Sequence, residues 1–507
     1  MKKLPIGIQS FEKIIKENCY YVDKTIFVKK LEDGGYYFLS RPRRFGKSLF
    51  LDTLKEAFSG NKELFKGLYL YDKWDWNRKY PVIKISFGSG DVQTPEGLKI
   101  KIEEFLLMIR HQFKIDLEYP SLSGKFQEAI IKIYEKYNEK VVVLIDEYDK
   151  PILDVIDNIE VAKENREILK GFYGVLKDAD PYLKLVFLTG VTRFSKVSIF
   201  SGLNQLRDLT LSKDFSNICG YTQRDLEVVF ADKIKDFNKE KVKNWYNGYS
   251  WLGDRVYNPF DILLLFAEKD FKPYWFETGT PTFLLKLIEK NRYFLPNFEN
   301  IIADSRLLSS FDIENIEVET LMWQTGYLTI DEAYESPMGM EYILKIPNKE
   351  VAVALFGEIA KFISKIARQK IFQNAIYDSL LKADLKEFEK QLKSLFASIP
   401  YNNFTGVKLY EYEGYYASVF YAYLKSLGVD VIGEDVTNKG RIDITLKMPR
   451  SIFIFEFKID EKGSLQQIKN KKYHEKYLSL NKPIYLVGIE FSSSERNLVK
   501  VEWEMVE

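Results

Sequence analysis

The chain has 507 residues, and its 74 basic and 73 acidic side chains leave a formal net charge of +1, so bulk charge draws it to neither nucleic acid nor an acidic surface. Two cysteines, Cys19 and Cys219, offer no disulfide framework, and two histidines, His111 and His474, exclude a histidine-rich zinc site. No apolar run is long enough for a membrane helix, and residues 1–5 lack the apolar core of a signal peptide, which predicts a cytoplasmic protein with no membrane partner.

The length is ample for three or four domains. Tyr36-Tyr37-Phe38-Leu39-Ser40 reads as a short buried strand that runs into Arg41-Pro42-Arg43-Arg44-Phe45-Gly46-Lys47-Ser48. Residues 49–58 then carry helical periodicity and stop at Ser59-Gly60. Strand, turn and helix with Gly-Lys-Ser at the junction is the phosphate-loop arrangement. Backbone N–H groups and the helix N-terminus cradle phosphate there, Lys47 reaches the β/γ-phosphates, and Ser48 takes Mg²⁺. Arg41 replaces the first glycine of G-x-x-x-x-G-K-[ST], and a bare Gly-Lys-Ser is weak evidence by itself.

Residues 141–145 form an apolar, parallel-type strand ending in Asp146-Glu147. As the second half of a nucleotide site, Asp146 supports Mg²⁺ and Glu147 polarises the attacking water. The plainer reading is a core strand capped by a solvated acidic pair. A third apolar strand, residues 183–188, ends at Thr189-Gly190-Val191-Thr192-Arg193. Thr189 there sits beside a γ-phosphate and Arg193 responds to hydrolysis, unless both are ordinary turn residues. Arg193 and Arg207 are also candidates for an arginine acting on a neighbouring copy.

From about residue 202 to 291 the pattern becomes mainly helical, with aromatic turns at Trp245-Tyr246-Asn247-Gly248-Tyr249 and Tyr257-Asn258-Pro259-Phe260, and predicts a helical lid. Residues 321–330 read as helix, turn and strand and residues 342–347 as a second strand, which together predict a small winged-helix-like module. Helices over 349–398 lead onward. The aromatics of this region read as core rather than as a base-stacking platform. The expected division is a phosphate-loop core over 1–200, a lid over 201–295, the winged-helix-like module and connecting helices over 296–400, and a last domain over 401–507.

That last domain holds the most informative stretch. Arg441-Ile442-Asp443-Ile444-Thr445-Leu446 reads as a strand, Met448-Pro449-Arg450-Ser451 as a turn, and Ile452-Phe453-Ile454-Phe455-Glu456-Phe457-Lys458 as a buried strand. Side chains alternate along a strand, so Glu456 and Lys458 share a face, and the hairpin brings Asp443 beside them. Two carboxylates and an ammonium in an apolar sheet are costly unless they hold a metal or pair with one another. Metal-assisted phosphodiester cleavage needs this set: Asp443 and Glu456 as hard ligands for Mg²⁺, and Lys458 to orient the water or neutralise the phosphate. An isolated E-x-K is usually a structural pair; the hairpin context and the preceding Gly440 reverse that. A helix opening near Glu411-Tyr412-Glu413 supplies a third acid, Glu413, with Glu411 within one turn of it. Gln466, Gln467 and Tyr473 follow on a lysine-rich helix. Lys469, Lys471, Lys472 and Lys476, with Tyr473 and Tyr477 interleaved, form either a nucleic-acid patch or a solvated face.

From about residue 405 to the end, the chain resembles a PD-(D/E)XK nuclease domain of the type found at the C-terminus of bacterial AAA-like ATPases. Asp443, Glu456 and Lys458 match the motif residues, and Glu413 matches the helical acid that accompanies them. The first four hundred residues resemble the ATPase part of that family, through Leu4-Pro5-Ile6-Gly7, Tyr21-Val22-Asp23-Lys24-Thr25, the loop over 41–48, Leu144-Ile145-Asp146-Glu147-Tyr148-Asp149-Lys150-Pro151 and Ser198-Ile199-Phe200-Ser201-Gly202-Leu203-Asn204. In that family arginine is usual at the position of Arg41. The resemblance implies an α/β chain: a P-loop parallel sheet with lid and winged-helix-like module, then a restriction-endonuclease-like domain. It also implies ATP as the ligand, where the loop residues alone speak only of phosphate. The expected activity is ATP-dependent or ATP-gated, Mg²⁺-dependent cleavage of DNA. The alternatives are a nucleotide-controlled switch whose nuclease fold is a binding module, or a DNA-tethered ATPase. The intact trio favours cleavage.

Overall fold

Apolar runs bounded by turn residues become the first sheet: β1 (Gly35–Ser40), β2 (Val82–Ser86), β3 (Val141–Asp146), β4 (Leu183–Gly190) and β5 (Arg207–Asp208), in the order β2-β3-β4-β1-β5. Every pairing in it is parallel. Every residue of β3 is buried, as a strand covered on both faces requires. Helix Lys47–Phe58 packs across β2, β3 and β4, and helices Pro95–Phe113, Leu122–Tyr137 and Ile159–Asp178 pack on one another. The last three start where the sequence supplies an N-cap, with Thr94, Ser121 and Asn158 each accepting a first-turn N–H. Because Ser40 pairs with Gly190 and Ile145 with Leu188, the carboxyl ends of β1, β3 and β4 lie along one edge. That edge is where parallel α/β sheets bind ligands.

The computed structural model describes residues 2–194, 199, 203, 205–275, 282–291, 293–299, 301–309, 312–365, 369–399 and 413–506. They fall into two compact units, residues 1–275 with 302–343, and residues 276–301 with 344–507. The boundary divides both the lid stretch and the winged-helix-like stretch between the units.

The lid stretch contains more sheet than its periodicity implies. Helices Gln223–Val229, Ala231–Ile234, Lys239–Tyr246 and Pro259–Glu268 accompany a small antiparallel sheet of β6 (Tyr221–Thr222), β7 (Asn247–Tyr249) and β8 (Val256–Tyr257), in the order β6-β8-β7. The aromatic segment at 245–249 therefore ends a helix and starts a strand. Its rings are core: Tyr246 and Tyr257 pack with Leu226, Phe230 and Ile262. Further along come β9 (Ile301–Asp304), helix Val318–Thr325, β10 (Thr329–Ser336) and β11 (Gly339–Lys345), with the strands ordered β10-β11-β9. Gly326 stops that helix in a left-handed conformation, φ +93°.

The second unit carries β12 (Asp430–Thr437), β13 (Gly440–Lys447), β14 (Ile452–Ile459), β15 (Ile484–Ser492) and β16 (Asn497–Val506), paired in chain order. β14 and β15 are parallel and the other pairs antiparallel, giving a mixed sheet. The turn between β13 and β14 closes with Met448 N–H on the Ser451 carbonyl at 2.9 Å. Alternation along β14 sorts its side chains. Phe455 and Phe457 meet Phe420 of helix Glu413–Ser426 at centroid distances of 5.0 and 5.6 Å. Ile452 and Ile454 pack instead with Ile468 of helix Ser464–Lys471. Glu456 and Lys458 belong to this second set.

Candidate functional site

The phosphate loop leaves β1 at Ser40 and enters helix Lys47–Phe58 through Gly46, whose φ of +95° an L-residue side chain would oppose. Lys47 is buried, and its ammonium donates to the carbonyls of Arg41 (2.8 Å) and Pro42 (2.9 Å). Burial lowers its pKa, while Asp146, Asp149 and Glu147 act in the opposite sense. Ser48 is half-buried on the first turn of the helix. Phe45 is buried edge-on against Tyr249 and Trp251, at 4.8 and 5.4 Å. Arg43 and Arg44 are exposed. The Arg43 guanidinium lies 3.9 Å from Asp154, and that of Arg44 3.8 Å over the Phe260 ring. Arg41, unlike Arg43 and Arg44, turns into the interior. Its side chain is fully buried and donates to the carbonyls of Ser40, Thr210, Phe215 and Ser216. An apolar cavity opens beside Gly46, lined by Tyr20, Tyr21, Val22, Phe50, Ile218 and Tyr221 among others.

At the ends of β3 and β4 the structure brings Asp146 and Thr189 together: the Thr189 hydroxyl donates to the Asp146 carboxylate at 2.7 Å, and Glu147 N–H to the same oxygen at 3.0 Å. Both side chains are buried. Glu147 adopts φ +52°, and its carboxylate lies against Gly88, just beyond β2. Burial, with Asp146 adding repulsion, raises its pKa. Arg193 is drawn elsewhere, pairing with Asp208 at 2.6 Å while its N–H donates to the Gln324 side chain at 3.0 Å.

In the second unit the β13–β14 ladder runs from Lys447–Ile452 to Ile444–Phe455. Beyond it the Asp443 carboxylate itself accepts the Phe457 N–H, at 2.8 Å, which places Asp443 next to the Glu456–Lys458 stretch. Glu456 is 3% exposed and accepts from the Gln467 amide. Lys458 is half-buried and lies in register with Glu490 of β15. Burial pushes the Asp443 carboxyl up to about 6; the Phe457 hydrogen bond opposes this, Glu434 reinforces it, and Lys458 and Arg441 oppose it. Tyr473 feels both acids: burial first, then Glu456 and also Asp443, raise its hydroxyl pKa, against hydrogen bonding from Gln467. Glu413 opens helix Glu413–Ser426, but its side chain, like Glu411, lies outside the described residues.

Residues 5–200 match the family model described as a predicted AAA-ATPase, and residues 411–501 the model of the PD-(D/E)XK nuclease superfamily. The chain is also 45% identical over 505 residues, 98% of each chain, to a protein of Azotobacter chroococcum mcd 1 described as "Uncharacterized protein in vnfD 5'region". It belongs to the family of AAA-ATPase-like proteins with a C-terminal PD-(D/E)XK domain. No helix among the described residues of this AAA-ATPase-like protein is long and apolar enough to cross a membrane.

Two acids escaped the reading of the sequence. Asp149 is buried and holds the loop after β4 by accepting from Val191 N–H (2.9 Å), Thr192 N–H (2.6 Å) and the Thr192 hydroxyl (2.7 Å). The sequence placed it within the family stretch 144–151, as a third acid in Asp146-Glu147-Tyr148-Asp149, but assigned it no role. Glu434 lies between the Gly433–Ile444 and Asp435–Ile442 pairs, opposite Asp443 in the ladder, and forms an ion pair with Arg441. Counting back from the two-residue turn Asn438-Lys439 would have found it, because Thr437 and Gly440 form the first pair.

Proposed function

We propose that this protein binds and hydrolyses ATP and that its C-terminal domain cleaves DNA with Mg²⁺ under nucleotide control. On the ATPase side the reading is carried by one juxtaposition: among the described residues the buried Lys47 ammonium is held by loop carbonyls alone, close to an apolar cavity at Gly46. Carbonyls are partners that a phosphate can displace, and an aromatic-lined cavity beside them suits a nucleotide base better than inorganic phosphate alone. Ser48 and Asp146 would hold Mg²⁺, Glu147 would orient the attacking water, and Thr189 would fix the Asp146 carboxylate through its hydroxyl.

Among the described residues no three His, Cys, Asp or Glu side chains are gathered closely enough to hold a metal ion between them. Mg²⁺ asks for less, since one or two carboxylates suffice when water and substrate phosphate complete its shell. The donor set fits: Asp443 and Glu456 are hard oxygen ligands, and the raised pKa of Asp443 marks a carboxylate that a nearby cation would stabilise. When bound, the ion neutralises phosphate charge and acidifies a water. Lys458 would orient that water or stabilise the phosphate, and Gln467 holds the Glu456 carboxylate in place. The test is incubation of the purified chain with labelled single- and double-stranded DNA and RNA, with and without Mg²⁺ and ATP. Mg²⁺-dependent DNA cleavage that responds to ATP is expected. Absence of cleavage under every condition would leave the nucleotide-controlled switch as the better account.

A further inference from the structure

Arg41 stands where phosphate loops usually carry glycine, and nothing in the proposed chemistry uses its side chain. It is wholly buried. Nη1 donates to the carbonyls of Ser40 (2.8 Å) and Thr210 (3.0 Å), and Nη2 to those of Phe215 (3.3 Å) and Ser216 (3.5 Å). The guanidinium lies 4.2 Å from the centroid of the Trp251 ring. Among the described residues no carboxylate forms an ion pair with it, and its Nε has no hydrogen-bond partner. Burial pushes its pKa down to about 10 against the opposing pull of Cys219 and Asp208, as expected of a cation taken from water with no carboxylate in direct contact. A glycine would avoid that cost, so the arginine needs a compensating role.

The connections of Arg41 indicate one. Its own carbonyl is the nearer of the two that hold Lys47. Its guanidinium reaches the corner that follows β5, where the Thr210 hydroxyl accepts from Ser40 N–H (3.1 Å) and Thr210 N–H donates to the Asp208 carboxylate (2.8 Å). Asp208 in turn pairs with Arg193 from the loop after β4. The start of the phosphate loop and the end of β4 are thus tied to one corner. We propose that Arg41 is a positioning residue that ties the phosphate loop to residues 210–216 and Trp251, so that these segments shift together when Lys47 exchanges its carbonyls for a phosphate. This rests on the nucleotide reading of the loop and adds to it a tether where a glycine would leave the loop free.

The experiment compares the full chain with Arg41→Gly, Trp251→Leu and the double variant by calorimetric titration of Mg·ATP. Each single change should weaken binding about tenfold, and the double variant should be no weaker than the worse single, because both cut one tether. Multiplying effects, or a loss with Arg41→Gly but none with Trp251→Leu, would make Arg41 a direct phosphate ligand and overturn the proposal. So would a lowered melting temperature with unchanged ATP affinity, the mark of a merely structural residue. Arg41→Lys, which keeps the charge but not the fork that spans four carbonyls, should recover only part of the loss. Hydrogen exchange without nucleotide tests the tether separately. Residues 43–48 and 210–216 should exchange faster together in Arg41→Gly, and unchanged exchange there would overturn the proposal. If the wild-type chain bound no ATP, the nucleotide reading would fail, and this exchange measurement would still decide whether the tether exists.

Discussion

Lys47 must give up two carbonyl partners to reach a phosphate, so its removal acts on the loop as well as on the ligand. Lys47→Ala is expected to weaken ATP binding by roughly tenfold or more, the scale of one charge-assisted contact, as read by titration calorimetry. Glu147→Gln keeps the shape of the side chain but removes the proposed base; ATP binding should persist while hydrolysis slows on the order of 10²-fold. Hydrolysis at the wild-type rate would assign Glu147 a different task. Asp443 makes a prediction about pH. Its folded pKa of about 6 lies above the ordinary aspartate value of 3.8, so between those values the folded chain binds the proton more tightly than the unfolded one. Stability should therefore fall as pH rises from about 4 to about 6, and the full penalty should remain above that range. In metal-free buffer at about pH 7.5, Asp443→Asn should stabilise the second unit by on the order of 3 kcal/mol, with little effect near pH 4. Equal denaturation midpoints for the two proteins at both pH values would show that Asp443 is not strained. The candidacy of these residues could be read from motif spacing. The side chains' partners could not, because Arg41 and Arg193 find theirs in segments far along the chain.

Elements were the most legible level, since their signals are local. The apolar runs at 36–40, 141–145 and 183–188 became β1, β3 and β4, and the Met448–Ser451 turn fell where Pro449 indicated. Legibility failed where short strands compete with helices. Tyr249 and Tyr257 read as turn aromatics, yet pairing of β7 with β8 satisfies their backbone while the rings bury. Gly326 shows what such a local signal can conceal. It ends helix Val318–Thr325 as any C-terminal glycine would, but a β-carbon on it would stand 2.6 Å from Pro42 Cγ in the phosphate loop. Gly326→Ala therefore meets both a left-handed backbone and a crowded neighbour. We expect it to destabilise the first unit by roughly 1–2 kcal/mol in chemical denaturation and to weaken ATP binding through the displaced loop. A variant with wild-type stability would mean that helix and loop separate freely.

For the whole molecule, the question is whether two sites of different chemistry serve one activity, and variants in one site read against the output of the other can answer it. Asp443→Ala removes a proposed metal ligand and should abolish DNA cleavage while ATP hydrolysis continues, because the two changes concern different units. Lys458→Ala should also abolish cleavage yet leave Mn²⁺ binding detectable, since in the proposed site the ammonium would serve the water or phosphate rather than the ion. Glu413→Ala should be milder if that acid meets the metal only through water. Chelation should silence the wild-type chain, and Mg²⁺ or Mn²⁺ should restore it. The decisive variant for control is Glu147→Gln, which should hold ATP without turning it over. If hydrolysis drives cleavage, this variant should cut as slowly as the chain without nucleotide; if binding alone opens the nuclease, it should cut at least as fast as wild type with ATP. A cleavage rate indifferent to ATP in both proteins would uncouple the sites. The chain would then be a nuclease and an ATPase joined in sequence but independent in action.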